Sequence, residues 1–358
     1  MKPFLKTLSR LILFRLDASH KRGMGHLYRM IILANEFRKN DFQCLFLLRD
    51  NEIAKRILNA IPHNHLSYPP NHSEDEIINR YFAEHPKPAL WIFDILTPEK
   101  EWISRVKKNG TPVICFDSLK DGLTADLAIN PIVGCWKASK TKSNSYSRIL
   151  SGPKYSIIDP HIAGLEKKER LLNGPIKIAV TMGGSDTHGA TIKLAEILSK
   201  IKERLEVIFF LGPHFLHKKE LSEIIHELSF PYSIKNAVKN FHAELIKSDA
   251  VICGGGQTLF EVCAMKMPIL AIANEDHEEK TISYFSQRGA CIDIGAIHKI
   301  VKDEEIQLFF RNIRSNPEEI MRMGISAKRL VDGKGVFRCL NKCMKVIQRN
   351  GYQEAEYF

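Results

Sequence analysis

The 358-residue sequence lacks an apolar run long enough to span a bilayer. Its basic and apolar beginning lacks the small-residue cleavage site of a signal peptide, and Arg15 and Asp17 interrupt it before a glycine-rich loop. The eight cysteines include no CxxC pair, and most lie in apolar surroundings, as reduced core thiols do. We therefore expect a cytoplasmic protein, and we assign no metal and no cofactor.

Motifs of two common ligand classes are also missing. The sequence has no GxxxxGK[ST] segment, which disfavours a P-loop nucleotide hydrolase, and no helix-turn-helix, zinc-finger or aromatic RNP pattern, so we expect no nucleic-acid partner. The net charge of +11 includes one late basic cluster: Lys328, Arg329, Lys334, Arg338, Lys342, Lys345 and Arg349. A solvated helical face is the favoured interpretation, and weak association with an anionic membrane surface is the alternative.

What the sequence does contain is a regular alternation of short apolar runs with longer amphipathic stretches, typical of parallel α/β construction. In the first half, the predicted strands are Leu11–Arg15, Cys44–Leu48, Ala89–Phe93, Val113–Phe116 and Leu127–Ile129. The clearest helix covers Leu27–Asn40, whose apolar residues share one face. The Ser- and Lys-rich segment Lys137–Arg148 is predicted to be a loop.

A second alternating series follows the segment Asn173–Pro175. Its predicted strands are Ile176–Thr181, Leu205–Leu211, Ala250–Cys253 and Pro268–Ile272. Its predicted helices are Ala190–Ile201, Glu220–Leu228, Phe241–Lys247, Thr258–Met265 and His277–Arg288. The region after Asp303 is helical, and its pattern does not decide on which domain it packs. The expected fold class is α/β, with two Rossmann-like domains and a central cleft at the carboxyl edges of their sheets.

A glycine-rich turn follows the first predicted strand and runs from Asp17 through Gly23 and Gly25 to His26. Glycines let the backbone approach a ligand closely, and the N-terminus of the next helix offers amides and positive dipole to an anion. His26 is expected to project toward the carboxyl edge of the sheet, where an imidazole can accept a proton from water or a sugar hydroxyl. From position alone, a capping, packing or solvent-facing histidine has equal weight.

Two turns in the second half repeat this arrangement. The strand Ile176–Thr181 is followed by Met182–Asp186, and Ala250–Cys253 is followed by Gly254–Thr258 and a helix that carries Glu261. Amides of the triple glycine and the Thr258 hydroxyl form a plausible diphosphate cradle. Glu261 can accept both hydroxyls of a ribose, and the alternative is an acid that compensates the helix dipole.

At these turns the sequence resembles the nucleotide-sugar hydrolases of pseudaminic acid biosynthesis, which remove UDP from a 2,4-diacetamido-2,4,6-trideoxy-hexose, and spore-coat polysaccharide proteins of the same type. That family is similar to glycosyltransferases of the GT-B fold, notably the N-acetylglucosaminyltransferase of peptidoglycan synthesis. The matching stretches follow the family's order to about residue 290: 15–19, 23–29, 151–155, 181–186, 240–252, 254–261 and Pro268.

The resemblance implies that His26 is the catalytic base and that a UDP-sugar is the substrate, with uracil near Val238. The candidate substrate-binding residues of the first half are Arg15, Asp17, Ser19, Gly23, Gly25, Asp94 and Asp117. Those of the second half are Gly183, Gly184, Ser185, Val238, Gly255, Gly256, Gln257, Thr258, Glu261 and Asn274. We expect a sugar-side domain with the catalytic histidine at 1–155, a linker at 156–174, and a nucleotide-binding domain with the terminal helices at 175–358.

Three segments depart from the family pattern. The chain has Asp94-Ile95-Leu96 where the family has Asp-His-Tyr, Asp117-Ser118 where it has paired aspartates, and Asn274-Glu275-Asp276-His277 where it has Asn-Gln. Our leading hypothesis is hydrolysis of a UDP-linked amino or deoxy sugar, for surface polysaccharide or nonulosonic acid biosynthesis. In it, His26 activates the attacking water and UDP leaves. The alternatives are a glycosyltransferase that uses the same donor and a nucleotide-sugar-binding protein without turnover.

Overall fold

The protein forms two compact units, one made of residues 1–157 with 335–358 and the other of residues 158–334. The structure, a computed structural model, describes residues 10–17, 25–95, 97–118, 124–132, 148–167, 173–184 and 186–350. Among these residues, no helix combines the length and hydrophobicity that crossing a bilayer requires. The seven cysteines in this part of the chain are buried free thiols.

The first unit contains a sheet of seven parallel strands in the order β3-β2-β1-β4-β5-β6-β7. The strands are β1 Leu11–Leu16, β2 Gln43–Arg49, β3 Asn64–Tyr68, β4 Leu90–Asp94, β5 Val113–Phe116, β6 Leu127–Asn130 and β7 Arg148–Ser151. All five strands predicted in this half are confirmed. The sequence pattern missed β3 and β7, the two edge strands, and the end of the predicted loop was wrong at Arg148, where β7 begins.

Helices cover both faces of this sheet. They are α1 Gly25–Arg38, α2 Glu52–Asn59, α3 Glu74–Glu84, α4 Lys100–Lys108 and α13 Gly335–Arg349. Local signals start two of them: Asn51 caps α2, and Ser73 with Glu76 forms a capping box at α3. Because apolar layers lie on both faces, the central strands are buried throughout, which explains their continuous apolar runs.

The second unit contains a sheet of six parallel strands in the order β10-β9-β8-β11-β12-β13. The strands are β8 Ile176–Thr181, β9 Leu205–Leu211, β10 Tyr232–Asn236, β11 Ala250–Gly254, β12 Ile269–Ala273 and β13 Ile292–Ala296. The four strands predicted here are confirmed. The edge strands β10 and β13 were missed because one is mostly exposed and the other contains glycine.

The helices of the second unit follow the predicted series. They are α5 Pro160–Ala163, α6 Ala190–Leu198, α7 Lys218–Ile224, α8 Phe241–Leu245, α9 Gln257–Ala264, α10 Glu278–Ser286, α11 Asp303–Ser315 and α12 Pro317–Leu330. Residues 158–167 contain α5 and belong to this unit, although the sequence placed them in a linker.

The last helix, α13, belongs to the first unit, whereas the expected boundaries placed all terminal helices in the second domain. It buries Val336, Cys339 and Cys343 in the same apolar layer as the inner face of α1. The thiol of Cys339 also donates to the carbonyl oxygen of Tyr155 at 3.3 Å. The sequence shows that this helix is amphipathic, but an apolar stripe does not identify the surface that covers it.

This division also separates the late basic cluster. Lys328, Arg329 and Lys334 lie in the second unit, and the other four members lie in the first. Lys328 pairs with Glu166 at 2.5 Å, and Arg338 donates to the Lys154 carbonyl oxygen. The seven charges therefore do not form a single helical face.

Replacing Gly335 by alanine should destabilise the first unit. A Cβ at Gly335 would lie 1.9 Å from the carbonyl oxygen of Ser156, so α13 would have to shift from its layer. We expect the free energy of unfolding to fall by about 2 kcal/mol. Urea unfolding followed by tryptophan fluorescence measures this unit selectively, because all three tryptophans lie in it: Trp91, Trp102 and Trp136.

Gly25→Ala is the matched control, because Gly25 also begins a helix of the first unit and a Cβ there meets no atom within 4 Å. Equal unfolding midpoints for Gly335→Ala and the wild-type protein would contradict the close approach of α13 to Ser156.

Candidate functional site

In the first unit, His26, Asp94 and Asp117 meet at the carboxyl edge of the sheet. Asp94 is the last residue of β4, Asp117 directly follows the neighbouring β5, and His26 lies in the first turn of α1. The Nδ1 atom of His26 is 2.8 Å from Oδ1 of Asp94. The imidazole is 29% exposed and the Asp94 side chain only 1%, so a buried carboxylate supports a ring that solvent can reach.

Arg29, one turn after His26, joins the two aspartates. Its Nε donates to Asp94 Oδ2 at 2.8 Å, its Nη2 to Asp94 Oδ1 and its Nη1 to Asp117 Oδ2. The other oxygen of Asp117 accepts the amide of Ile132 at 3.0 Å. Burial disfavours the charged form of Arg29, but Asp94 and then Asp117 outweigh it and raise the pKa of Arg29 above its ordinary value.

The same contacts keep Asp94 ionised. Burial opposes its charge, but the guanidinium of Arg29 and then His26 hold the pKa of Asp94 well below its usual range. Because an ionised carboxylate carries no proton, the contact to His26 requires a hydrogen on Nδ1. Arg29 Nη2 lies 3.0 Å from that nitrogen, and both groups donate to the same oxygen of Asp94.

This tautomer leaves the Nε2 lone pair of a neutral His26 available to accept a proton. Among the described residues, none forms a hydrogen bond with Nε2. A carboxylate that orients an imidazole through Nδ1–H is the arrangement that general-base histidines use. The pair can therefore take a proton from a bound water or hydroxyl.

Arg15 and Asp17 lie beside this group, but Arg15 is fully engaged with protein. Its Nε and Nη2 donate to the two oxygens of Glu74 at 2.6 and 2.7 Å, and its Nη1 donates to Asp17 at 2.7 Å. The Arg15 side chain is 1% exposed. These contacts indicate that Arg15 orients Asp17 and the start of α3. Its assignment to the substrate stays a prediction.

Three of the candidate residues lie outside the described part of the chain: Ser19, Gly23 and Ser185. Gly25 is described and begins α1. Of this turn, the structure describes Asp17, Gly25 and His26.

In the second unit, the turns after β8 and β11 lie next to each other because these strands are neighbours. Gly183 has φ of 75°, a left-handed conformation that favours glycine, and a Cβ on it would lie 4.0 Å from Thr258 Oγ1. Gly184 accepts the amide of His214 at 3.0 Å through its carbonyl oxygen. Gly183, Gly184 and Thr258 thus form one local group.

The helix N-termini after these two turns differ. The buried carboxylate of Asp186 accepts the amides of Ala190 at 2.8 Å and Thr191 at 2.9 Å, so α6 begins with its own anion. By contrast, α9 begins after Gly256 without a capping hydrogen bond from a side chain. The positive end of α9 is therefore the better place for a ligand anion.

The triple glycine has a packing role that the sequence did not reveal. A Cβ on Gly255 would lie 2.7 Å from Cβ of Glu278 and 2.9 Å from Cγ1 of Ile282, so only glycine lets α10 pack this closely. Glu278 accepts the amide of Asn274 at 2.9 Å. Burial raises the pKa of Glu278 despite the amides of Asn274 and Gly255, which lower it.

The remaining candidates of this unit lie around α9. Glu261 Oε2 is 2.9 Å from Nε2 of His242, on α8, and Val238 packs against the adjoining apolar core. Gln257 is the first residue of α9. The side-chain oxygen of Asn274 is buried and has no hydrogen-bond partner among the described residues. Its assignment to the substrate stays a prediction.

One group in the described part of the chain has the spacing of metal ligands: Asp276, Glu279 and His298. His298 pairs with Asp276 at 2.7 Å, and the ammonium of Lys299 lies 2.6 Å from Glu279. Lys299 offsets the charge of Glu279, and we assign no metal to this group.

The sequence did not single out Arg29, Glu74, His242 or Glu278. Arg29 was detectable, because a basic residue three positions after His26 shares its helix face. Glu74 and His242 act through partners distant in the chain, Arg15 and Glu261, and a single sequence does not show such pairs. Glu278 accepts the amide of Asn274, four residues before it, but its packing against Gly255 depends on the fold.

No protein-family model matches the chain. It is 26% identical over 328 residues to the spore coat polysaccharide biosynthesis protein SpsG of Bacillus subtilis, covering 90% of this chain and 94% of that protein. An uncharacterized Methanocaldococcus jannaschii protein is 30% identical over 268 residues, which are 72% of this chain and 54% of that protein. UDP-2,4-diacetamido-2,4,6-trideoxy-β-L-altropyranose hydrolase of Campylobacter jejuni is 21% identical over 291 residues, 78% of this chain and 97% of that protein.

Solved structures share the fold. MurG of Acinetobacter baumannii superposes with a TM-score of 0.71 at 11% identity, over 93% of this chain and 99% of that one. Staphylococcus aureus MnaA, solved with UDP, superposes with a TM-score of 0.60 at 11% identity, over 97% of this chain and 99% of that one. These comparisons confirm the α/β class with two Rossmann-like domains, and the relatives confirm the resemblance that the glycine turns indicated.

Replacing Asp94 by asparagine should lower stability in a pH-dependent way. Because the pKa of Asp94 is depressed in the folded protein, its ion pair with Arg29 stabilises the protein above the ordinary carboxyl pKa of 3.8. That stabilisation is lost as the pH falls from the ordinary carboxyl pKa through the lower pKa that Asp94 has in the folded protein. We expect Asp94→Asn to lower the free energy of unfolding by roughly 3 to 5 kcal/mol at pH 7, because it leaves a buried guanidinium underpaired. The decrease should be smaller at pH 3.

Urea unfolding at pH 7, 5 and 3, followed by tryptophan fluorescence, measures the difference in the free energy of unfolding between Asp94→Asn and the wild-type protein. Asp41→Asn is the control, because that carboxylate is 86% exposed in the same unit. A difference between Asp94→Asn and wild type that stays constant from pH 7 to pH 3 would show that Asp94 is not held ionised by Arg29.

Proposed function

We propose that the protein hydrolyses a UDP-linked amino or deoxy sugar to UDP and the free sugar, in surface polysaccharide or nonulosonic acid biosynthesis. The observation that carries this proposal is the Asp94–His26 pair, whose 2.8 Å contact fixes the protonated Nδ1 and leaves Nε2 as a base. The 94% coverage of SpsG and the 97% coverage of the Campylobacter hydrolase support the substrate class.

The proposed reaction balances with water as the second substrate. Nε2 of His26 takes one proton from water as its oxygen bonds to the anomeric carbon of the sugar. The bond from that carbon to the diphosphate oxygen breaks, and UDP leaves with the electron pair. Asp94 stabilises the imidazolium that forms, and Arg29 keeps Asp94 ionised through the cycle. The imidazolium then returns its proton to solvent.

The second unit supplies the nucleotide contacts in this proposal. The uncapped N-terminus of α9, with Gly255, Gly256 and Thr258, meets the diphosphate, because amides and helix dipole stabilise the charge that develops on the leaving group. Glu261 accepts the ribose hydroxyls, and Val238 lies near uracil. The S. aureus MnaA structure with UDP supports nucleotide binding on this fold.

A glycosyltransferase is the second candidate, favoured by the TM-score of 0.71 to MurG. In that reaction, an acceptor hydroxyl replaces water and loses its proton to the same imidazole. The nucleotide contacts stay unchanged, so the two functions differ only in the nucleophile.

Release of UDP without any acceptor should distinguish them. The purified protein, incubated with UDP-N-acetylglucosamine or UDP-2,4-diacetamido-2,4,6-trideoxy-altropyranose alone, should release UDP and free sugar, measured by anion-exchange chromatography. His26→Asn should slow release about 100- to 10,000-fold, because the general base is lost, and leave UDP affinity unchanged within about twofold.

His226→Asn is the control, because His226 is an exposed histidine of the second unit. UDP release that requires an added acceptor would favour the glycosyltransferase. UDP binding with no turnover of any donor would favour a binding protein, and full activity of His26→Asn would remove His26 from the mechanism.

Glu261→Ala should weaken UDP binding roughly 10- to 100-fold, because charge-assisted hydrogen bonds to the ribose hydroxyls are lost. Isothermal titration calorimetry with UDP measures the change. Glu220→Ala, which removes an exposed glutamate of α7, should not alter affinity. Equal UDP affinities of Glu261→Ala and wild type would exclude the ribose assignment.

A further inference from the structure

The proposed reaction makes no use of His242, although this residue holds a side chain of the nucleotide site. Its Nε2 lies 2.9 Å from Oε2 of Glu261, and no other described residue forms a hydrogen bond with the Glu261 carboxylate. The His242 side chain is 24% exposed and that of Glu261 is 16% exposed. The contact therefore joins two partly buried groups on neighbouring helices, α8 and α9.

The packing of α8 fixes the position of the imidazole. Leu245 is fully buried, and the ring of Phe241 meets Phe210 edge-to-face with centroids 5.3 Å apart. The imidazole of His242 packs edge-to-face with Phe241 at 4.9 Å. An anchored aromatic neighbour restricts rotation of the histidine, so the donor nitrogen stays directed at Glu261.

A ribose presents two neighbouring hydroxyl donors, and an ionised carboxylate has about four lone-pair sites. One hydrogen bond from His242 to Oε2 selects a single side-chain conformation of Glu261. Oε1 and the remaining lone pair of Oε2 can then face the two hydroxyls. Without the histidine, a flexible glutamate must lose its rotational freedom when the nucleotide binds. The free-energy cost of this lost entropy then weakens nucleotide binding.

We propose that His242 is a positioning residue that orients Glu261 for the ribose hydroxyls and so sets the preference of the site for ribonucleotides over deoxyribonucleotides. This inference rests on the proposed function, because it requires a uridine nucleotide at α9. It adds a specificity determinant on α8, the helix that carries His242.

Two amide substitutions of His242 test the inference. In His242→Gln the side-chain nitrogen reaches about as far as Nε2 and can still donate to Glu261. In His242→Asn the side chain is one methylene shorter than glutamine and does not reach. Calorimetry with UDP and with 2′-deoxy-UDP gives the affinity ratio of the two nucleotides, and a general loss of structure does not change this ratio selectively.

We expect His242→Asn to weaken UDP binding about tenfold and 2′-deoxy-UDP binding less than threefold, so that the ratio falls. His242→Gln should keep both affinities within about threefold of wild type. In the Glu261→Ala background, His242→Asn should have no further effect, because its partner is absent. His226→Asn controls for the loss of a histidine elsewhere in the unit.

Equal weakening of UDP and 2′-deoxy-UDP binding by His242→Asn would overturn the inference, because His242 would then act on something other than the ribose. Unchanged affinities in His242→Asn would overturn it as well. Failure of the wild-type protein to bind UDP is a separate result, which would reject the proposed function itself. Circular dichroism of each variant verifies that the comparison concerns folded protein.

Discussion

The candidate chemistry of this protein depends on one buried interaction, the guanidinium of Arg29 between Asp94 and Asp117. Two carboxylates at neighbouring strand ends repel each other, and burial disfavours the charge of each. Arg29 donates hydrogen bonds to both, offsets one of their two charges and keeps Asp94 ionised. Only an ionised Asp94 requires the proton of His26 to lie on Nδ1. The tautomer that exposes Nε2 therefore depends on Arg29, which contacts Asp94 and lies 3.0 Å from Nδ1 of His26.

The two glycine turns of the second unit differ at the N-termini of the helices that follow them. Both glycine turns lead into helices, but α6 receives the carboxylate of Asp186 while α9 keeps its first amides free of a side-chain cap. The same backbone motif thus has two outcomes, one structural and one suited to a ligand anion. Asp186 caps α6, whereas the acid beside the other turn, Glu278, accepts the amide of Gly255 without capping α9. Glycine content alone reveals neither arrangement.

Much of this organisation could be predicted from the sequence, and the exceptions have physical reasons. Buried central strands leave continuous apolar runs, so all nine predicted strands were found, whereas edge strands such as β3 and β10 lack that signal. His26 was named because it opens a helix after a glycine-rich turn, and Asp94 and Asp117 were named because of the resemblance to the nucleotide-sugar hydrolases. Their linkage through Arg29, and the pair His242–Glu261, depend on contacts across many residues of chain, which periodicity does not encode.

The place of α13 in the first unit affects how the chain is made. The whole second unit, residues 158–334, is synthesised before α13. Until then, the layer that Val336, Cys339 and Cys343 will cover on the first unit stays open to water. The first unit, although synthesised earlier, can complete its core only after the second unit has been synthesised. During this interval that apolar surface is exposed, as it is in any fragment that stops at residue 157.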